Sequence, residues 1–239
     1  TPSGKRLYDE RIRVLAEDLG QTVFPGVKAL WLYESKRRTA AWLAAHNVPQ
    51  PGTWYFAAEA DAQAFAATCK LPIYFKTDLG AEASGVQVIT ERQRLESLIR
   101  CSFRRGIAAP GYGPAGQSCG DFVLQEPIPN AREWRVVRIG ESYFAHRKLT
   151  RDGFHSGSKR KAFDRPPEAL LELARSVTEK GGFRSMGLDV LELARGEYFV
   201  IELHAYFSSS TPYLMLVDGH PARFRYDAAR QEWSSERSE

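Results

Sequence analysis

The chain has 239 residues and a mass of 26.9 kDa; 43% of its residues are hydrophobic and 26% are charged. This composition can form a substantial core, so it excludes a wholly disordered, collagen-like or coiled-coil protein. The net charge of +4 is a mild excess, and the three cysteines are too widely spaced for a disulfide framework or a zinc site. No apolar run approaches the roughly 18 residues of a transmembrane helix. We therefore expect a globular cytoplasmic protein.

The first half of the chain predicts helices and strands in mixed order. Helices are expected at 9–19, 27–46 (one helix or two short ones), 59–69 and 91–101. Strands are expected at 53–57, 71–76, 86–89 and 122–126. A loop of small residues at 77–85 joins the second and third strands, and a long loop rich in Gly and Pro occupies 106–120.

Residues 111–116 of the long loop, GYGPAG, match the dinucleotide-binding pattern G-x-G-x-x-G. That pattern functions only after a buried strand and before a helix. The preceding residues, IAAP, do not form such a strand, and no helical pattern follows directly. We therefore interpret the segment as a flexible surface loop.

The second half of the chain predicts two antiparallel hairpins separated by a helix. The first hairpin pairs 133–139 with 142–149, the helix covers 167–180, and the second hairpin pairs 186–193 with 197–204. Two groups of helices and hairpins predict an α+β protein with two lobes that meet near residue 126. Basic residues between 147 and 161 form either a solvated loop or one that contacts phosphate or an anionic substrate.

The second hairpin brings two carboxylates together. A turn between Arg195 and Gly196 places Asp189 directly opposite Glu202, with His204 on the same face. The same register pairs Leu188 with Leu203, Val190 with Ile201, Leu191 with Val200 and Leu193 with Tyr198. Opposed carboxylates repel each other unless a cation binds between them, and oxygen ligands suit Mg²⁺ or Mn²⁺. The alternative is a hairpin end in water where the acids splay apart; the surrounding apolar residues favour the metal site.

Two lysines add a candidate phosphate site. Lys76 closes a predicted strand, and the side chains from Gly80 to Gly85 are small enough to let backbone N–H groups approach a phosphate. Lys36 lies on a predicted helix and on its own would be interpreted as surface charge.

In this order the segments resemble the ATP-grasp fold of carboxylate–amine ligases, especially glutathione synthetase-like and ribosomal-protein glutamate-ligase-like enzymes. The resemblance covers about residues 23–210 and rests on FPGVKALWLYESKRRTAAWLAAHNVPQP, LPIYFKTDLGAEASGVQVI, FVLQEPI, AREWRVVRIGESYFAHRK and the second hairpin. It implies two α+β lobes that grip a nucleotide between antiparallel sheets. Residues 34–125 would form the first lobe with its glycine-rich lid, 126–239 the second lobe with the metal-binding hairpin, and 1–33 the remnant of a preceding domain.

The resemblance also implies roles for individual residues. It implies ATP binding by Lys36, Lys76, Gly80, Ser84, Gly85, Gln125, Glu126, Pro127, Ile128, Glu133 and Arg135. It implies catalytic contacts to phosphate by Lys76 and Arg147, and metal binding by Asp189, Glu202 and His204. The adenine base would bind the C=O of Pro127 and the N–H of Ile128; proline satisfies this because it lacks only the N–H.

The implied activity is ATP-dependent ligation of a carboxylate to an amine through an acyl phosphate, with release of ADP and phosphate and with Mg²⁺ or Mn²⁺. Small-molecule or peptide substrates are expected, with a homo-oligomer or a further N-terminal domain as protein partners, and no membrane. The chain departs from the family pattern at His204, where Asn is usual, in lacking the Pro-Gly turn that normally follows, and at RDGFHSGSKRKAF, which replaces an Asn-bearing substrate loop. Alternatives are a non-catalytic or regulatory ATP-binding module and a kinase on the same fold. Nucleic-acid binding has little support, because the aromatic residues are not interleaved with basic ones.

Overall fold

The computed structural model describes residues 1–80, 85–108, 113, 116–149, 160–194, 196–207 and 211–237. Its helices are α1 (Pro2–Arg13), α2 (Val27–Leu32), α3 (Lys36–Ala45), α4 (Glu59–Thr68), α5 (Arg92–Arg105) and α6 (Glu168–Gly181), and a π-helical turn (Val14–Asp18) follows α1. Its strands are β1 (Thr53–Trp54), β2 (Ile73–Thr77), β3 (Val86–Ile89), β4 (Phe122–Gln125), β5 (Arg132–Ile139), β6 (Ser142–Lys148), β7 (Lys161–Ala162), β8 (Ser185–Glu192), β9 (Tyr198–His204), β10 (Leu216–Val217), β11 (His220–Asp227) and β12 (Glu232–Arg237). None of the helices in these described ranges is long and apolar enough to cross a membrane.

The smaller sheet is antiparallel and has the strand order β1-β4-β2-β3. Helices α4 and α5 cover one face through Ala62, Ala66, Leu95 and Ile99, each fully buried. Phe75 of β2 and Phe122 of β4 stack with their ring centroids 4.8 Å apart in this core. Burial of this apolar face fixes the register of β2 and so determines where Lys76 lies.

The larger sheet is antiparallel, with the order β10-β11-β6-β5-β8-β9; β12 pairs with β11 and β7 with β6. Helix α6 packs on it through Leu170, Leu171 and Ala174, all fully buried. Residues of α2 and α3, including Leu30 and Trp42, belong to the same core. A lobe boundary at residue 34 therefore does not follow the two hydrophobic cores, and the proposed division of the chain into lobes stays a prediction.

Most predicted elements are present, with shifted ends. The helical pattern over 27–46 forms two helices, separated at Glu34, whose φ is +61°. The first helix begins earlier than expected, at Pro2, and β1 is only two residues long. Strands β10 to β12 were not predicted, because only Ala222 and Phe224 of β11 are buried and most of its other positions carry polar side chains.

The β8–β9 hairpin confirms the central pairing and corrects the rest. Asp189 lies opposite Glu202, and Leu188 lies opposite Leu203. The register then shifts by one residue, so Val190 pairs with Val200, Leu191 with Phe199 and Glu192 with Tyr198. The predicted partners beyond Asp189 are therefore wrong. A β-bulge inserts an extra residue and re-aims side chains; here it keeps Val200 on the buried face, fully inaccessible, while Ile201 lines a cleft.

Candidate active site

One face of the larger sheet carries most of the charged residues in this region. Directly opposed residues share a face, so the pairings of Glu133 with Lys148 and of Arg135 with both His146 and Asp189 put these side chains together. Glu202 and His204 join them from β9. The opposite face is apolar and buried, with Trp134, Val136, Leu188, Val190 and Leu203 each no more than 2% exposed.

Asp189 is the centre of this cluster and is only 1% exposed. Its Oδ2 accepts from Lys148 Nζ at 2.7 Å and from Arg135 Nη2 at 2.8 Å, and it lies 3.1 Å from His204 Nε2. Arg135 Nε contacts the other carboxylate oxygen. Burial raises the pKa of Asp189, but the charges of Lys148, Arg135 and His204 hold it well below its usual range. The carboxylate is therefore ionised.

Glu202 and His204 form the outer part of the cluster. His204 Nε2 lies 3.2 Å from Glu202 Oε2. Burial raises the pKa of Glu202, but the hydrogen bond from His204 and the charge of Lys36 lower it to about 2. Burial lowers the pKa of His204, yet Asp189 and Glu202 together raise it above its ordinary value.

The Asp189, Glu202 and His204 side chains fit a divalent cation. Each offers one ligand atom, and the three atoms lie within 4.8 Å of one another. Carboxylate oxygens suit Mg²⁺ and Mn²⁺, while an imidazole ligand favours transition metals such as Mn²⁺ over Mg²⁺. Binding of such a cation requires the neutral form of His204 and competes with Lys148 and Arg135 for the oxygens of Asp189.

The expectation for Arg147 needs correction. Arg147 is paired with Trp134 in the β5–β6 register, and its side chain contacts Asp164. The structure therefore does not bring Arg147 to the charged face, because successive strand residues point to opposite faces. Its neighbour Lys148 occupies that face instead, where its ammonium also lies 2.5 Å from Glu133 Oε1.

Lys76 approaches the cluster from the smaller sheet. Its Nζ donates to Gln125 Oε1 at 2.6 Å and lies 5.4 Å from the centroid of the Tyr74 ring. Gln125 in turn donates to Thr53 Oγ1 at 2.9 Å, which fixes the orientation of its amide. Burial lowers the pKa of Lys76 to about 8, an effect opposed by the charge of Glu202. A narrow cleft between the sheets is lined by Lys36, Lys76, Gln125, Ile201 and Glu202, among others.

Lys36 is held at the first turn of α3 by contacts that the sequence analysis missed. Ser35 caps the helix, and its hydroxyl donates to both oxygens of Asp78 at 2.9 and 3.0 Å. Asp78 also accepts from the Arg37 N–H at 2.7 Å. The Lys36 ammonium donates to the Gly80 carbonyl at 2.8 Å. The buried Asp78 thus connects the start of α3 to the loop that follows β2. The sequence feature that could have indicated this contact is an acid directly after that strand.

The segment joining the sheets leaves two backbone groups available. Glu126 binds Gly52 twice: its N–H donates to the Gly52 carbonyl at 2.9 Å, and its Oε1 accepts from the Gly52 N–H at 2.6 Å. A Cβ at Gly52 would lie 2.7 Å from the Trp54 ring, so a larger residue there would force that ring to shift. Within the described ranges, neither the Pro127 C=O nor the Ile128 N–H makes a hydrogen bond.

Some predicted features lie wholly or partly outside the described residues. The ends of the predicted lid are described: Gly80 has φ +143°, and the Gly85 carbonyl accepts from the Thr77 N–H at 3.1 Å. Ser84, most of the 111–116 motif, residues 150–159 of the basic loop and Arg195 at the hairpin turn lie outside these residues.

Neither the family models nor the curated proteins include a match to this chain. The chain is similar to the biotin carboxylase domain of 2-oxoglutarate carboxylase from Hydrogenobacter thermophilus, solved with MgADP, ADP and bicarbonate (TM-score 0.64, 15% identity, covering 86% of this chain and 47% of that one). It is also similar to a RimK domain ATP-grasp protein from Sphaerobacter thermophilus (TM-score 0.59, 18% identity, covering 81% of this chain and 68% of that one). A third similar structure is D-alanyl-alanine synthetase A from Vibrio cholerae (TM-score 0.56, 16% identity, covering 80% of this chain and 60% of that one).

These similarities establish the fold. Each structure superposes on 80% or more of the chain, and the model has the α+β class and antiparallel sheets expected from the sequence. The chain has the ATP-grasp fold, as predicted. It spans about half the length of the carboxylase domain.

Proposed function

We propose that this chain is an ATP-dependent ligase that joins a carboxylate to an amine and releases ADP and phosphate. The observation that carries the proposal is the cleft in which Lys36 and Lys76, from one side, face Glu202 of the larger sheet. Two cations opposite a pair of acids suit a polyphosphate with a divalent cation. The similarity to D-alanyl-alanine synthetase A supports the reaction class.

The proposed position of ATP rests on two kinds of group. Some make no hydrogen bond within the described residues, and others have a partner that a nucleotide could replace. The Pro127 C=O and Ile128 N–H would bind adenine, and Glu133 would bind the ribose. Lys36, Lys76 and Arg135 would contact the phosphates, with Lys148 in the place first assigned to Arg147. Gly80 and Gly85, at the two ends of the proposed lid, give its backbone the freedom to approach the phosphates.

In the proposed reaction, a substrate carboxylate oxygen attacks the γ-phosphorus of ATP, and the bond to the β-phosphate oxygen breaks to release ADP. The amine nitrogen then attacks the acyl carbon of the acyl phosphate, inorganic phosphate leaves, and the amine loses a proton. Lys76 and Lys148 would stabilise the negative charge that develops on the transferred phosphoryl group. The chain's task is positioning and the exclusion of water, so no nucleophilic side chain is required.

Asp189, Glu202 and His204 would hold the divalent cation. When bound, that ion would neutralise charge on the β- and γ-phosphates. Arg135 and Lys148 keep Asp189 ionised and therefore competent as a ligand.

A non-catalytic nucleotide-binding module is the second candidate, and one observation favours it. Lys148 and Arg135 already neutralise Asp189, as a bound cation would. Such a module would bind ATP without releasing ADP. The kinase alternative rests on the basic loop, of which residues 150–159 lie outside the described part of the chain.

The test is ADP release from ATP and Mg²⁺ or Mn²⁺ in the presence of pooled carboxylates and pooled amines. The proposal predicts that ADP formation requires both pools and is abolished in Glu202→Gln. ADP release that requires a hydroxyl acceptor instead would indicate a kinase. ATP binding without any ADP release would favour the non-catalytic module.

A further inference from the structure

Asp78 is a buried acid that has no part in the reaction proposed above. It lies directly after β2 and is 6% exposed. Its carboxylate accepts from the Ser35 hydroxyl at 2.9 and 3.0 Å and from the Arg37 N–H at 2.7 Å. Its backbone C=O accepts from the Lys36 N–H at 3.2 Å. One acid therefore contacts three consecutive residues at the start of α3.

These contacts fix the start of α3 against the smaller sheet. Burial of a carboxylate is costly unless hydrogen bonds replace its hydration. The first turn of a helix offers unpaired N–H groups and the positive end of the helix dipole, and Asp78 lies at that end. The Ser35 hydroxyl also accepts from the Arg38 N–H at 3.2 Å, so it caps the helix while it donates to Asp78. The orientation of the first turn is therefore set by Asp78.

This orientation determines where the Lys36 ammonium lies. Its Nζ donates to the C=O of Gly80, two residues after Asp78, at 2.8 Å. The Lys36 side chain also lines the cleft together with Lys76 and Glu202. Its charge is one of the causes that lower the pKa of Glu202. Lys36 is thus held between the loop that follows β2 and the acid proposed to bind the cation.

We propose that Asp78 is a positioning residue for phosphate binding: through Ser35 and the Arg37 N–H, it holds Lys36 where the ammonium contacts a phosphate of ATP. This inference rests on the proposed nucleotide site and assigns it a further residue. Asp78 would not touch the nucleotide. Its loss should therefore weaken the contact with phosphate and leave the contacts with adenine and ribose unchanged.

The test is calorimetric titration of the unmodified chain and of Asp78→Asn with ATP and Mg²⁺, and separately with adenosine, which has no phosphate. The amide keeps the shape of the side chain but has one acceptor oxygen in place of two. Asp78→Asn should bind ATP at least about tenfold more weakly, while its affinity for adenosine should change by less than about threefold.

Asp121→Asn is the matched control. Asp121 lies at the same corner, since its C=O accepts from the Asp78 N–H at 3.0 Å. Its carboxylate lies 3.4 Å from the Arg37 guanidinium and has no contact with the Ser35 hydroxyl or the Arg37 N–H among the described residues. Its replacement should change the affinity for ATP by less than about threefold.

Lys36→Met separates positioning from a general loss of stability. If Asp78 acts through Lys36, adding Asp78→Asn to Lys36→Met should weaken ATP binding no further, although it should lower the Tm. Two residues that act independently would instead show losses that multiply. If Asp78→Asn does not fold, Ser35→Ala takes its place in each comparison.

An unchanged affinity for ATP in a folded Asp78→Asn variant, an equal loss for adenosine, or a further loss in the double variant would overturn the inference. If the unmodified chain binds ATP and one of these results is found, the inference fails and the nucleotide site stands. If the unmodified chain does not bind ATP, the proposed function fails and the inference fails with it.

Discussion

The ammonium of Lys148 lies 2.7 Å from Oδ2 of Asp189, the acid that the hairpin places opposite Glu202. The same ammonium lies 2.5 Å from Glu133, so one side chain compensates two buried acids. A nucleotide phosphate would draw Lys148 away from Asp189 and leave carboxylate oxygens available to a metal. We therefore expect nucleotide and metal to bind cooperatively.

Replacing Lys148 and replacing Arg147 should have different effects. Lys148→Met removes a cation from the charged face, so the affinity for ATP with Mg²⁺ should fall by about tenfold or more. Arg147→Met removes a side chain from the other face, where it contacts Asp164, and should change that affinity by less than about threefold. Calorimetric titration of both variants makes the comparison. A larger loss in Arg147→Met than in Lys148→Met would contradict the placement of these residues.

His204 should shift the choice of metal. An imidazole in the ligand set favours Mn²⁺ over Mg²⁺ more strongly than a purely oxygen-based set. In the presence of ADP, the unmodified chain should therefore show a larger Mn²⁺/Mg²⁺ affinity ratio than His204→Asn, as measured by the electron paramagnetic resonance of free Mn²⁺ with Mg²⁺ as competitor. An equal ratio in the two proteins would show that His204 is not a ligand.

Lys76 should make nucleotide binding sensitive to alkaline pH. Its pKa of about 8 is below the usual value for lysine because the ammonium is buried, and a bound phosphate would raise it. Nucleotide binding then requires proton uptake above pH 8, so the affinity should fall by about tenfold between pH 7.5 and pH 9. Lys76→Arg, which stays charged throughout this range, should lack the decline. A decline of the same size in Lys76→Arg would assign it to another group.

The sequence predicted those parts of the site that depend on local register. The Asp189–Glu202 pairing follows from one hairpin turn, and Lys76 follows from one strand. The position of Lys148 was missed because a shift of one residue along a strand changes the face, and the family pattern was matched to Arg147. No residue pattern in the hairpin sequence indicates the bulge after Asp189.

Contacts between distant parts of the chain could not be predicted in this way. Ser35 meets Asp78 across 43 residues, and the hydroxyls of Tyr8 and Tyr206 meet across 198. Such contacts depend on how α1, α3 and the two sheets pack together. Helical or strand periodicity specifies which face of an element is buried, but it does not specify which other element packs against that face.

His146 should make the fold less stable in mild acid. Burial, together with the charge of Lys161, lowers its pKa to about 4, whereas an unfolded histidine titrates near pH 6.5. The free energy of unfolding therefore keeps its full value above about pH 6.5. It falls by about 3 kcal/mol as the pH falls toward 4, because the unfolded chain takes up a proton that the folded chain does not. Denaturant unfolding between pH 7 and pH 4 should show a smaller loss in His146→Gln. The matched variant of the exposed His220, His220→Gln, should retain the full loss; equal losses in both variants would contradict the assignment.

The most direct test of the nucleotide–metal site is thermal unfolding with ATP, with and without Mg²⁺, for the unmodified chain and Glu202→Gln. Glu202 is preferred to Asp189 because removing Asp189 would leave Arg135 and Lys148 partly uncompensated, which destabilises a buried site. A ligand that binds only the folded state stabilises it by about 2.7 kcal/mol at a hundredfold excess over its Kd. We expect a Mg²⁺-dependent rise in Tm that is lost in a folded Glu202→Gln variant. No rise in the unmodified chain, or the same rise in the variant, would contradict the nucleotide–metal site.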